Sequence, residues 1–519
     1  MSRTILGSGA VSRRGLMQGA AAGALLLGAG TMPAMAEPKR GGKMRFGKAH
    51  GQTSDSHDPG TWENGFTTTL GFALYNRLTE VDVDGSVIPE LAEDWEASSD
   101  ASEWTFKLRN AQFHDGSKVT AGDVLASLNH HRGEESQSAA KPIMEAVKDM
   151  TAIGDDAVKF TLAGGNADFP FVLTDYHLVI GKDDGSGKVD WNTGLGSGSY
   201  VLQNFEPGVR LDMKRNDNNW RSDRGWFDEI EVLAIVDPVA RTNALMTGSV
   251  DGIDRVDVKT VDLLRRNPNV VIEAVAGTQH YTFPMRVTEK PFDNKDVRLA
   301  LKYAVKRQEM LDKVLNGFGV LGNDIPLSPN QKYFNTSIAQ REFDPDKAKF
   351  HLKQAGMENL EVELYAANAA FSGALDAAQL YAASAAQAGI NIKINRASDD
   401  GYWSNIWNAK PWCACYWGGR PVPDLMFSTA YQSGVPWNDT AWSNERFDEL
   451  LLQARSELDE GLRAEMYNEM QVILHDDGGL IAPMFASYVS AIGKNVTHGP
   501  MASNWSLDGE RWTERWWFA

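Results

Sequence analysis

Cysteine is scarce: two residues in 519, too few for a disulfide framework. Positive charge is also in deficit. Lys and Arg total 51 against 69 Asp and Glu, a formal net charge of −18. No Lys/Arg-dense segment offsets that excess, which argues against a nucleic-acid backbone as partner. Past the N-terminal region no apolar run approaches the ~18–20 residues that span a bilayer. G-x-S-x-G, H-E-x-x-H, Walker A and C-x-x-C are all missing. A G-x-G-x-x-G does occur at Gly317, Gly319 and Gly322, but it follows a long helical pattern instead of a strand, so it reads as a helix cap and loop. With 42% hydrophobic and 23% charged residues, the chain has the composition of a globular protein of roughly two to four domains at ~150 residues each.

The first 36 residues read as an export signal. Ser12-Arg13-Arg14-Gly15-Leu16-Met17 sets paired arginines before a short stretch rich in Ala, Gly and Leu, and Ala34-Met35-Ala36 supplies a small-residue cleavage end. The paired arginines point to the twin-arginine route and the periplasm. An uncleaved anchor is disfavoured because the apolar stretch is short and Gly-rich. The segment holds three Arg and no acid, so its removal takes the charge from −18 by three to −21. In that oxidising compartment Cys413 and Cys415 read either as two reduced core thiols or as a strained i,i+2 disulfide.

In the mature chain, Trp104, Phe106 and Leu108 alternate as one face of a strand. Thr120 and Asp123 form a capping box for the helix carrying Val124, Leu125 and Leu128. Further strands are expected at 158–162, 210–215, 229–235, 361–366, 391–396 and 411–417. Helices are expected at 237–247, 346–355, 374–388, 444–458 and 461–475, with one long helix over 296–316. His130-His131 reads as helix surface. The second half alternates helix and strand, the mark of an α/β layer; the whole reads as mixed α/β.

Several segments, in order, resemble the extracytoplasmic solute-binding proteins of family 5, the dipeptide, oligopeptide and nickel class that serve ATP-binding-cassette (ABC) importers. Pro89-Glu-Leu-Ala-Glu-Asp-Trp95, Trp104-Thr-Phe-Lys-Leu-Arg109 and Phe113-His-Asp-Gly116 with Thr120-Ala-Gly-Asp123-Val resemble its first blocks. Gly196-Ser-Gly198-Ser-Tyr200, Pro291-Phe292-Asp293 with Val297-Arg298, and Asp344-Pro-Asp-Lys347-Ala348 resemble the later ones. The resemblance implies a two-lobe clamshell with a hinge and a discontinuous large lobe. Mapped here, lobe one spans 37–278 with 486–519 and lobe two 279–485, with crossings near 279–283 and 483–487. It also implies a monomer that closes on a small peptide-like or other small polar solute, then docks on permease subunits of the inner membrane, with no catalysis and no cofactor.

Six of the sixteen Trp fall within 401–442. The family's pocket loop follows a strand ending in W-G and carries D-P-D; here it reads Trp417-Gly418-Gly419-Arg420-Pro421-Val422-Pro423-Asp424. In peptide-binding relatives the first Asp of that motif resembles the group that pairs with the peptide ammonium. Its place is taken here by Val422, while Asp424 keeps the second acid and Arg420 adds a cation. Arg420 in the cleft would favour an anionic group; paired with Asp424 it would be structural. Trp417, Trp437 and Trp403 are candidate stacking surfaces. In His57-Asp58-Pro59-Gly60-Thr61-Trp62, Thr61 and Trp62 are candidate contacts of the cleft edge, against the alternative of a capped turn. Two other readings stand beside a solute carrier: a nickel-type metal binder, which needs a His or carboxylate cluster, and a secreted hydrolase, which needs paired catalytic groups.

Overall fold

The computed structural model describes residues 37–398, 402–420 and 422–519; the expected export signal lies outside the described residues. A nine-stranded mixed sheet gathers strands from the start, middle and end of the chain. Lys43–Lys48 lies parallel between Glu229–Ala234 and Gly252–Ile253. Gly252–Ile253 and Val270–Thr282 both run antiparallel to Met484–Gly493, and Cys415–Trp417 adds to the other side of Val270–Thr282. Val270–Thr282 and Met484–Gly493 pair from Val270↔Gly493 to Tyr281↔Met484, interrupted by an irregularity between Ala276 and His280. A bulge of this kind bends a strand and redirects its side chains. Thr278, in the bulge, sits hard against Gly419: a Cβ at 419 would come within 1.6 Å of its Oγ1, so the loop reaches this strand only as glycine.

Apolar side chains segregate into separate cores. One gathers Trp104, Phe106, Leu108, Phe160 and Phe169 around the antiparallel sheet of Ala92–Ala97, Glu103–Leu108, Ala157–Leu162 and Val147–Ile153. The expected alternation holds: Trp104, Phe106 and Leu108 are all buried. Two further cores draw on residues from 283 to 486. The first packs Ala374–Ala385 and the parallel pair Glu361–Ala366 and Asn391–Arg396 against Lys295–Tyr303. The C-terminal Trp512 and Trp516 are buried with Phe46, the Phe46 and Trp512 rings 4.4 Å apart.

Local signals hold where they are local. Thr120 and Asp123 form the capping box, and Glu361–Ala366 and Asn391–Arg396 are strands over the expected residues. The expected long helix over 296–316 is instead two, Lys295–Tyr303 and Arg307–Val314. The cause is tertiary. The Arg307 guanidinium turns back to donate to the Lys302 carbonyl at 3.2 Å while holding both oxygens of buried Asp324, at 2.8 and 2.7 Å. Lys302, also buried, donates to the His475 carbonyl. The expected strand over 411–417 shrinks to Cys415–Trp417, preceded by isolated bridges at Trp412 and Cys413. His131 is not helix surface: it is fully buried, its Nδ1 2.6 Å from Ser138 Oγ.

Candidate functional site

Tryptophans dominate the segment that leaves Cys415–Trp417. Trp417 pairs with His280 at the sheet edge and is buried. Its ring lies 6.2 Å from Trp407 and 6.1 Å from Trp437, and Trp407 and Trp437 are 6.1 Å apart, so three indoles enclose a common corner. Trp403 continues the cluster, 6.0 Å from Trp407 and 5.5 Å from Tyr416. Trp403 and Trp437 keep 41% and 51% of their surface exposed. Large apolar surface left open beside a buried core is where a partner or ligand gains contact.

Behind the rings lies Asp439, a residue with no motif to announce it. Its Oδ2 accepts from the indole N–H of both Trp407, at 3.0 Å, and Trp417, at 3.1 Å. Its Oδ1 is buried with no partner among the described residues. Burial pushes this carboxyl up to about 6, against the pull of the two indole donors. A turn holds it in place: Ala441 N–H donates to Asn438 O, and Val287 N–H donates to Thr440 O.

Arg420 does not pair with Asp424. Its Nη1 donates to the carbonyls of Gly418 and Gly419, at 3.1 and 3.4 Å, and no carboxylate meets it among the described residues. Burial lowers its pKa. Asp424 is instead buried against Arg455, whose Nε reaches its two oxygens at 3.0 and 3.2 Å. Burial raises the Asp424 carboxyl despite that partner. Val422 is buried in a small apolar cluster with Val81 and Phe171. The same neighbourhood joins residues 165–172 to the helices Glu445–Ser456 and Glu460–Asp477. Ala167 N–H donates to Arg455 O at 2.7 Å, and Asp168 and Arg463 form a buried ion pair at 2.6 Å.

At the other candidate edge, Asp58 accepts from Gly60 N–H, and Thr61 Oγ1 donates to Asp58 O at 2.8 Å, a capped turn. Thr61 is exposed. Trp62 is fully buried, its indole N–H on Ser56 O and its ring against Gly71, so its ring is core and not a cleft surface. Cys413 and Cys415 are both buried free thiols, which burial pushes above the usual thiol range. Trp412 is core, its indole N–H donating to Phe283 O.

Among the described residues, no group of three or more His, Cys, Asp or Glu is placed to hold a metal ion, and no helix is long and apolar enough to cross a membrane. Two surface grooves, of about 720 Å³ beside Lys290 and Glu358 and about 440 Å³ beside Tyr303 and His475, include none of the candidate residues. Trp density marked the 401–442 segment in the sequence. Asp439 could have been found only by asking what the clustered indole N–H groups bond to.

The model for bacterial extracellular solute-binding proteins, family 5, matches residues 86–439, two thirds of the chain. The dipeptide-binding protein of Escherichia coli K12 is 24% identical over 467 residues, 82% of this chain and 85% of that protein. HbpA2 from Haemophilus parasuis superposes with a TM-score of 0.80 at 21% identity, covering 90% of this chain and 99% of that one. AgaA from A. tumefaciens R10, solved with agropinic acid, superposes at 0.70 with 23% identity, over 92% and 99%. These neighbours share the two-lobe binding-protein fold expected from the sequence. The chain belongs to the bacterial extracellular solute-binding proteins of family 5.

Proposed function

We propose that this chain is the periplasmic substrate-binding component of an ABC importer. It captures a small polar solute carrying an anionic group and delivers it unaltered to inner-membrane permease subunits. In this reading the twin-arginine signal exports it, and it works as a monomer. Lobe one is 37–278 with 486–519, lobe two is 279–485, and the solute lies between them. Val270–Thr282 and Met484–Gly493 then carry the crossings. Contacts such as Asp168 with Arg463 bridge the lobes when they close, and the solute stabilises the closed form by its differential affinity.

The observation that carries the choice of solute is Arg420: a half-buried guanidinium with no carboxylate partner among the described residues, beside the tryptophan corner. A desolvated cation of this kind is satisfied by a bidentate anion. Val422, where peptide-binding relatives carry an acid, is apolar and buried, so a peptide ammonium gains no partner there. The proposed solute surfaces are Arg420, Trp437 and Trp403. Trp417 supports them from behind, Thr61 lies at the edge, and Asp424 shapes the loop through Arg455.

The test is thermal unfolding of the mature protein against peptides, opines, amino-acid derivatives and sugar acids. One anionic member raises the melting temperature, as mass action requires, and the rise is lost in Arg420→Ala. A rise with neutral or cationic solutes alone, or an undiminished rise in the variant, contradicts the assignment.

A further inference from the structure

The tryptophan corner rests on one atom. Trp407 and Trp417 lie ten residues apart, on either side of Trp412, and each spends its only polar side-chain donor on Asp439 Oδ2, at 3.0 and 3.1 Å. Trp437 packs against both rings and Trp403 against Trp407, so the two exposed indoles are set by the pair behind them. A carboxylate shared by two N–H donors fixes both ring planes, whereas a buried carboxylic acid holds its neutral acceptor bonds more weakly. Among the described residues Oδ1 has no hydrogen-bond partner within normal geometry, the Cys415 thiol being a polar neighbour, and no cation forms an ion pair with this carboxylate, which is 2% exposed.

We propose that Asp439 is a positioning residue of the solute face, whose ionised carboxylate holds Trp407 and Trp417, and through them Trp437 and Trp403, in the arrangement that receives the solute. The proposal rests on reading this segment as the solute face. Its consequence is a site that is set when Asp439 is charged and loosened when it is protonated. The carboxyl changes state near pH 6, burial having raised it. Its titratable and charged neighbours among the described residues are Cys413 and Cys415 from the sheet edge, Tyr431 just past the helix Pro423–Ala430, and Arg286. Burial pushes both thiols and the phenol upward, away from this range, so among these acids the one that titrates between pH 4 and 8 is Asp439.

The experiment follows indole N–H resonances of the ¹⁵N-Trp-labelled mature protein from pH 4.5 to 8, assigned with Trp407→Phe and Trp417→Phe. Potassium iodide quenching of the emission lost in Trp437→Phe is read alongside. The Trp407 and Trp417 resonances are expected to shift together with one midpoint near 6, and the quenching of Trp437 to change with the same midpoint. In Asp439→Asn both titrations vanish. If that variant does not fold, Trp417→Phe tests the same point: with one donor gone, the Trp407 midpoint moves to higher pH. Separate midpoints, or a titration that persists in Asp439→Asn, overturn the proposal. A joint titration of the two resonances with no change at Trp437 also overturns it, because the clamp then does not reach the exposed face. None of these readouts needs a solute, so failure of the panel above with a joint titration here removes the solute assignment alone.

Discussion

Two regions of this molecule bury charge, and they treat it oppositely. In the first, Glu80 and Glu90 lie fully buried among arginines. Glu80 meets Arg221, Arg224 at 3.3 Å and Arg515 at 2.6 Å, and Glu90 takes both guanidinium nitrogens of Arg511 at 3.1 Å. Arg511 and Arg515 belong to the C-terminal tail, so this network fastens the chain's end to residues 77–90. The surrounding arginines hold the Glu80 carboxyl well below the usual range despite its burial. In the second, around 417–439, among the described residues Arg420 meets only its own loop's carbonyls and Asp439 Oδ1 meets no hydrogen-bond donor. The two carboxylates are each met by guanidinium groups, as a structural network needs, while Arg77 beside them makes only a 3.5 Å ion pair to Glu90. Incomplete compensation, held in place by the surrounding fold, is what a binding surface needs, because the missing partner arrives with the ligand.

The sharpest way to break that contrast is Glu80→Gln. It leaves Arg221, Arg224 and Arg515 without their shared counter-charge in the interior, which costs about 3–5 kcal/mol. The guanidinium unfolding midpoint should fall accordingly. An unchanged midpoint would mean the network is not structural. Next in size is the pH dependence of stability. The folded Asp439 carboxyl lies at about 6, above its unfolded value near 4. A raised folded value means the native state binds the proton more tightly, so this contribution is fully present below pH 4 and is lost as pH rises through 6. It amounts to roughly 2–3 kcal/mol. Asp439→Asn should remove that decline from the stability profile between pH 4 and 6; a profile matching the unmodified chain counts against the burial argument. The smallest effect is Arg420→Ala. With no ion pair to lose among the described residues, only hydrogen bonds to its own loop's carbonyls, its unfolding free energy without solute should change by about 1 kcal/mol. A large loss would make Arg420 a structural residue like those around Glu80.

What was legible in the sequence follows the same division. Features decided within a few residues were readable: the Thr120 capping box, the Trp104–Phe106–Leu108 face, and the strands Glu361–Ala366 and Asn391–Arg396. The family blocks fixed the architecture, because they are turns and caps that recur in order. Features decided by distant partners were hidden. The helix over 296–316 breaks because Arg307 answers to Asp324, seventeen residues on. Asp424 looked available until Arg455, thirty-one residues on, took its carboxylate. Trp62 had the composition of a cleft edge, yet its ring packs on Gly71. Trp density marked the 401–442 segment, but not that two of its indoles share the carboxylate of Asp439, an unremarked acid in a turn.

Native mass spectrometry of the mature protein, taken directly from its producing cells, tests the central claim most directly. The account predicts a single bound species that is small, anionic and recovered chemically intact, and that is absent or much reduced in Arg420→Ala. A species equally retained by that variant, or one converted to a product on incubation with the protein, would contradict it.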